Sequence, residues 1–224
     1  IQSLQSIDDA TARRIGGRRS FADTAAGQAI FSQAGDLYAV ALDGSSARRL
    51  TADPGDEELA SLSPDGRYAA FVREHDLYTV EVATGIERRL TTTGSEKIRN
   101  GKNAWVYYEE IFGRNWRSYW WAPDSSAIAF YETDSKDVDT FTLVDDAVEP
   151  QEVRITEYPK PGSANPHVRL GIVQAAGGEP AFVDLSGYTV GGFVVSSMGW
   201  WPDSSKVHFT IQNRTQTWLD LCTV

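Results

Sequence analysis

A pattern that returns after forty residues limits this chain more than any other feature. Asp36-Leu37-Tyr38-Ala39-Val40 is matched by Asp76-Leu77-Tyr78-Thr79-Val80, and Arg48-Arg49-Leu50-Thr51 by Arg88-Arg89-Leu90-Thr91, both at a spacing of forty. A second pattern lies between them. Ser63-Pro64-Asp65-Gly66, with Phe71 six residues after the aspartate, returns as Ala122-Pro123-Asp124-Ser125 with Phe130 and as Trp201-Pro202-Asp203-Ser204 with Phe209. Asp124 and Asp203 are 79 residues apart, close to two periods, whereas Asp65 and Asp124 are 59 apart, which implies about twenty inserted residues.

Each unit reads as short strands separated by turns. Proline presets φ, and Asp, Gly or Ser suits the following turn positions. Tyr68-Ala69-Ala70-Phe71-Val72 and Ala127-Ile128-Ala129-Phe130-Tyr131 are apolar runs of strand length, and Asp-Leu-Tyr-x-Val alternates like a strand with one buried face. Gly44 and Gly85 mark hairpin turns before the strands that end in Arg-Arg-Leu-Thr. Four strands in about forty residues is the pattern of a β-propeller blade. An all-β sandwich with coincidental spacing is the alternative; two independent motifs on one period favour the propeller. The recurrent pairs Arg48-Arg49 and Arg88-Arg89 are expected to be architectural because they keep that period.

The 224 residues supply about five blades' worth of chain, and propellers close with about 4–8 blades. The final residues 216–224 read as a strand with no turn after it, so the expectation is one propeller domain over 1–224, cut within a late blade. The chain starts at Ile1 without a methionine or a signal-peptide core, which places any targeting segment outside it. No apolar run approaches the roughly 20 residues of a membrane helix. With 21 Lys and Arg against 31 Asp and Glu, a net charge of −10 argues against nucleic acid as a partner. Cys222 is the only cysteine, which excludes an internal disulfide and a cysteine-based metal cage.

The blade pattern is interrupted over 98–170. Trp105-Val106-Tyr107-Tyr108-Glu109-Glu110-Ile111-Phe112 joins aromatics to a pair of glutamates. On a strand the two carboxylates would point to opposite faces. On a helical turn they diverge by about 100° and can converge on one small ligand, so residues 105–115 are expected to be helical or irregular and to project from the strands. Two carboxylates against aromatic surface suit an ammonium ion, because hydrogen bonds to charged groups are worth about 1.5–3 kcal/mol. Composition alone favours the plainer reading of Glu109 and Glu110 as two solvated helix residues.

The wording of this segment resembles the Trp-Val-Tyr-Glu-Glu-Glu stretch in the propeller of the dipeptidyl peptidase IV family of serine exopeptidases. The likeness continues through Tyr119-Trp120-Trp121-Ala122-Pro123-Asp124 and Asp137-Val138-Asp139-Thr140-Phe141-Thr142-Leu143-Val144-Asp145. It then covers Tyr158-Pro159-Lys160-Pro161-Gly162 and Asn165-Pro166-His167-Val168-Arg169-Leu170. The resemblance implies an eight-bladed propeller over an α/β-hydrolase domain, of which this chain holds the incomplete N-terminal part. It implies that Glu109 and Glu110 bind the free α-amino group of a peptide, so that dipeptides leave the N-terminus, preferentially after proline or alanine. Tyr108 stands where the family has the first glutamate of its triplet. No cofactor and no metal are implied. Partners would be peptides with a free N-terminus, the C-terminal hydrolase domain and, since members are commonly dimers, a second copy. The implied location is periplasmic, secreted or on a membrane-anchored exterior.

Two departures limit the transfer. The family's arginine near the substrate carbonyl has no counterpart in residues 28–36, and neither Arg18 nor Arg19 can be aligned to it. No Gly-x-Ser-x-Gly nucleophile elbow occurs, so no catalytic residue is expected in this chain and it should hydrolyse nothing alone. A non-catalytic propeller scaffold is the reading from another class, and a pseudo-enzyme a third; the 98–170 insertion favours the peptidase.

The remaining candidates read as structural. His75, His167 and His208 are widely spaced, and Asp134, Asp137 and Asp139 lack the glycine and terminal glutamate of a calcium loop. Asp53-Pro54-Gly55-Asp56-Glu57-Glu58 reads as an exposed connection, and Trp116, Trp120 and Trp121 as packing residues rather than a ligand platform.

Overall fold

The computed structural model describes residues 10, 22–188 and 192–224, so Arg18 and Arg19 lie outside the described residues. The first sheet is β1 (Asp23–Ala25), β2 (Gln28–Gln33), β3 (Asp36–Ala41) and β4 (Ala47–Arg49); the second is β5 (Glu58–Leu62), β6 (Tyr68–Arg73), β7 (Asp76–Glu81) and β8 (Glu87–Arg89). Both are antiparallel meanders, each strand beside the next in sequence. The third sheet takes β9 (Ile98–Asn100), β10 (Tyr119–Trp121) and β11 (Ala127–Asp134). A separate hairpin, β12 (Thr140–Asp145) and β13 (Glu152–Glu157), then leaves it before β14 (His167–Gln174) and β15 (Ala181–Phe182) complete it. The fourth sheet is β16 (Phe193–Trp200), β17 (Val207–Asn213) and β18 (Leu219–Thr223). The β-propeller blades expected from the repeat are therefore present. Four such sheets stand among the described residues, and the β12–β13 hairpin makes a separate two-stranded sheet within the expected insertion.

Why the blades stack follows from the alternation of their central strands, whose successive side chains face opposite ways. In β6, Ala69 and Phe71 join Ile30, Leu37 and Leu62 toward the first blade, while Ala70 and Val72 join Tyr119, Ile128 and Phe130 toward the third. In β11, Ile128 and Phe130 face the second blade and Ala129 and Tyr131 face the fourth, against Val195, Val207 and Ile211. A strand buried on both faces reads as a near-continuous apolar run, broken here only near the strand ends by buried polar residues such as Arg73 and Glu132, which are ion-paired. Each fully buried Phe or Ile side chain contributes ~1.5–3 kcal/mol.

The repeated motifs lock individual blades. Arg49 Nη2 donates to Asp36 Oδ2 and Arg89 Nη2 to Asp76 Oδ2, both at 2.5 Å, while Thr51 and Thr91 accept through Oγ1 from the N–H of Leu37 (2.8 Å) and Leu77 (2.9 Å). Arg48 reaches into the next blade, donating to the carbonyls of Ala83 and Thr84. The architectural role of these arginines is as expected. Phe31 stacks on Tyr38, and Phe71 on Tyr78, with ring centroids 5.5 Å apart in each pair. In the third blade the residue paired with Phe130 is Gly171, where a Cβ would lie 2.4 Å from the Phe130 ring, so only glycine fits.

The 53–58 segment is the expected exposed connection between the first two blades except at Glu57. Glu57 is buried, accepting from Arg73 Nε (3.0 Å) and the Thr51 hydroxyl (2.9 Å), and Asp53 pairs with Arg73 Nη1 (3.4 Å). Burial pushes the Glu57 carboxyl above its ordinary value even though Thr51 and Arg73 act the other way. A run of charges marks solvent in composition, but the buried Arg73 draws Glu57 inside while Asp53 stays exposed.

The three Pro-Asp turns share one backbone feature: Gly66, Ser125 and Ser204 have φ of +72°, +66° and +61°. Glycine takes this conformation freely and serine does not. The serines compensate by joining blades. Ser125 Oγ accepts from Asp65 N–H (3.1 Å), and Ser204 Oγ from Asp124 N–H (3.0 Å), so each serine caps the preceding blade's turn.

Candidate functional site

Asn103 closes the loop between β9 and β10 at its base. Its N–H donates to Trp116 O (2.8 Å) and its Nδ2 to Asn115 O (3.0 Å). Within that loop Tyr108 N–H donates to Ala104 O (3.0 Å), and Phe112 N–H to Tyr107 O (2.9 Å), which makes Tyr107–Ile111 a π-helical turn. Such turns widen the helix by one residue and recur at functional sites. The helical or irregular expectation for 105–115 thus holds.

Tyr107 anchors the turn. It is 1% exposed and packs edge-on to Tyr131, with centroids 6.1 Å apart, and its hydroxyl accepts from Val195 N–H (3.3 Å) in the fourth blade. Burial drives its phenol pKa upward, so it stays neutral. Tyr131 donates to Val195 O (3.4 Å), so two tyrosines hold both backbone groups of one residue beside the irregularity between Val195 and Ser197. Tyr108 stacks on Trp116 at 3.9 Å, and Trp105 on Tyr158 at 4.5 Å. Trp120 packs against Tyr131 and Phe112, and Trp121 donates from Nε1 to Ser61 Oγ (3.1 Å). The tryptophans are packing residues, as their composition suggested.

With Tyr107 inward, the glutamates lie on the outer side, but they do not share an environment. Glu109 Oε1 accepts from Arg114 Nε (3.0 Å) and Nη2 (2.8 Å). The chain reverses after the turn, with φ of +56° at Gly113 and +69° at Arg114, and this brings the guanidinium back beside Glu109. Glu109 Oε2 has no hydrogen bond among the described residues. Glu110 is exposed, has no ion pair or hydrogen bond with any described residue, and borders a cavity of about 450 Å³. Asn165, Ser196, Gln212, Arg214 and Gln216 supply the rest of its polar lining, and Val106, Tyr107, Ile111 and Val194 its apolar wall. Glu109 does not line it. A neighbouring cavity of about 340 Å³, with His167 and Phe193, shares Asn165 and Arg214.

Two other cavities stand apart. One of about 480 Å³ between the loop and the hairpin is lined by His75, Lys97, Arg99, Lys102 and Trp116. Its cations are already committed, Lys97 and Arg99 to Glu157 and Lys102 to Glu58. Burial, and then Arg99 and Lys102, push the His75 pKa down. A larger one of about 840 Å³ opens between the first two blades and holds neither glutamate.

Sequence reasoning did not single out Arg114 or Arg214. Arg114 follows Glu109 by five residues, outside the spacing of a regular helix, and only the left-handed reversal pairs them. Arg214 is more than a hundred residues from Glu110 and carries no local signal.

Comparison with known proteins places this geometry. The family model described as the dipeptidyl peptidase IV (DPP IV) N-terminal region matches residues 20–224. A probable dipeptidyl peptidase 4 of Aspergillus clavatus is 30% identical over 177 residues, covering 76% of this chain and 23% of the relative. Dipeptidyl aminopeptidase B of Saccharomyces cerevisiae is 29% identical over 171 residues, covering 74% of this chain and 20% of the relative. The chain thus spans roughly a quarter or less of these relatives' length. The crystal structure of Porphyromonas gingivalis dipeptidyl peptidase 4 superposes with a TM-score of 0.75 at 22% identity, over 88% of this chain and 29% of that one, and shares its fold. This chain belongs to the dipeptidyl peptidase IV family, as part of its N-terminal β-propeller region.

Proposed function

We propose that this chain admits peptides to a dipeptidyl peptidase IV-like serine peptidase and recognises their free amino terminus through Glu110 and Glu109. The observation that carries this reading is the uncommitted Glu110 carboxylate on the 450 Å³ cavity, on a turn that Tyr107 fixes to the fourth blade. An α-ammonium entering there would gain a charge-assisted hydrogen bond from Glu110. Glu109, held through one oxygen by Arg114 and outside that lining, keeps the other oxygen for a neighbouring N–H of the same peptide. Recognition of the terminus at a fixed distance from a nucleophile would set the cut two residues in. The nucleophile, its base and its orienting acid would come from an α/β-hydrolase domain outside this chain, and no cofactor is needed for that chemistry.

A second copy as partner is supported by the β12–β13 hairpin. Val144, Val153 and Ile155, 57%, 61% and 69% exposed, share one face of it, an apolar surface that pairing would cover. A periplasmic, secreted or membrane-anchored exterior location is proposed from the family likeness. Among the described residues no helix is long and apolar enough to cross a membrane.

The test is calorimetric binding of Ala-Ala-Ala amide and its N-acetyl form to this chain and to Glu110→Gln. Binding of the free amine alone, lost in the variant, is expected; equal binding of the acetylated peptide would overturn the reading. In the full-length enzyme, Glu109→Gln or Glu110→Gln should lower dipeptidyl turnover by orders of magnitude with folding intact.

A further inference from the structure

The cavity that Glu110 borders is lined by Arg214 as well. Arg214 stands on the turn between β17 and β18, and Asn213 builds that turn. Asn213 Nδ2 donates to the hydroxyls of Thr215 (2.8 Å) and Thr217 (2.7 Å), and its Oδ1 accepts from the N–H groups of Thr217 (2.9 Å) and Trp218 (3.3 Å). Its carbonyl accepts from Gln216 N–H (2.9 Å), with Gln216 at φ +55°. Five hydrogen bonds within five residues leave the backbone at Arg214 little freedom. The guanidinium itself is exposed and has no hydrogen bond or ion pair with any described residue. One small cavity therefore carries one uncommitted carboxylate and one uncommitted guanidinium.

We propose that Arg214 determines specificity, selecting peptides whose first residue is aspartate or glutamate. The inference rests on the amino-terminus reading. An α-ammonium and the side-chain carboxylate of that same residue share a Cα, so the two charges arrive a few bonds apart, as one cavity lined by Glu110 and Arg214 requires. A planar guanidinium meets a carboxylate through two parallel hydrogen bonds, which a neutral amide side chain cannot return with equal strength. Gln212, Gln216 and Asn165 offer neutral groups that complete the lining without favouring either sign.

The experiment is isothermal titration of the chain with Glu-Ala-Ala amide and Gln-Ala-Ala amide, using wild type, Arg214→Met and Glu110→Gln. Wild type should bind the glutamate peptide about ten-fold more tightly, the size of one hydrogen bond between charged groups. Arg214→Met should remove that preference without weakening the glutamine peptide, while Glu110→Gln should weaken both. Equal affinities in wild type, a preference that survives Arg214→Met, or equal weakening of both peptides by Arg214→Met would each overturn the role of Arg214 alone. No binding of either peptide to wild type would overturn the amino-terminus reading as well. Because Arg214 is exposed and Asn213 makes the turn, the thermal midpoint of Arg214→Met should match wild type, which keeps the comparison valid.

Discussion

Arg114 donates from both Nε and Nη2 to a single oxygen of Glu109, at 3.0 and 2.8 Å, while the adjacent Glu110 keeps its carboxylate free of described partners. Neighbours in sequence are thereby given different electrostatic settings: the pair carries one compensated and one uncompensated charge.

Removing Arg114 should raise affinity for a cationic amino terminus. Arg114→Met leaves two negative charges on the turn, and the gain should be a few-fold at low salt. It should fade as ionic strength rises, since Arg114 is 73% exposed and its field is screened. Calorimetry with Ala-Ala-Ala amide at two salt concentrations checks this; a salt-independent loss of binding would show instead that Arg114 orients Glu109.

Tyr107→Phe should destabilise the chain by about 1–3 kcal/mol, because it leaves Val195 N–H buried without its acceptor. The ring is retained, so the packing against Tyr131 should survive and the urea unfolding midpoint should fall with an unchanged slope. Peptide binding should weaken along with it, since the tether fixes the glutamate turn to the cavity wall.

At Ser125 two contributions separate by substitution. Ser125→Gly loses the bond to Asp65 N–H but relaxes the left-handed backbone, whereas Ser125→Ala loses the bond and keeps the strain. Alanine should therefore be the worse replacement, by about 1 kcal/mol. Thermal denaturation of both variants decides it, and an equal or reversed order would mean the hydroxyl bridge alone matters.

The turn aspartates predict an acid limb. The Ser126 hydroxyl and N–H hold Asp124 below the ordinary 3.8, and the Ser205 hydroxyl and N–H do the same for Asp203. At Asp65 burial opposes the shift, but Ser63 and the Arg67 N–H outweigh it. A depressed carboxyl stabilises the fold above its unfolded pKa, and that contribution disappears as pH falls through the lower folded value. Stability should thus drop as pH falls below 3.8. In Asp124→Asn/Asp203→Asn the melting temperature should be lower at neutral pH and fall less in that window.

Ile155→Asp and Val153→Asp should abolish dimerisation without altering the thermal midpoint of the monomer, since both side chains are exposed. Sedimentation velocity on wild type and variants gives the answer; a monomeric wild type at high concentration would remove the hairpin as an interface.

The blade pattern was legible because it is local. A forty-residue period, proline-led turns and double-faced apolar strands each act through neighbours in sequence, and the observed sheets follow them residue by residue from Asp36 to Arg89. The number of blades was less legible, since length cannot tell a hairpin such as β12–β13 from half a blade. Within the exposed 53–58 connection only Glu57 was misread, because charge predicts solvent unless a buried Arg73 is waiting on another strand.

The glutamates mark the same boundary. Sequence placed Glu109 and Glu110 on a helical turn beside aromatics and, through a resemblance, named the family. Only the tertiary structure decided that Arg114 folds back onto one carboxylate, and that Arg214 lines the same cavity as the other. Those relations depend on left-handed backbone at two residues and on the packing of the fourth blade against the third, and neither leaves a trace in the spacing of residues along the chain.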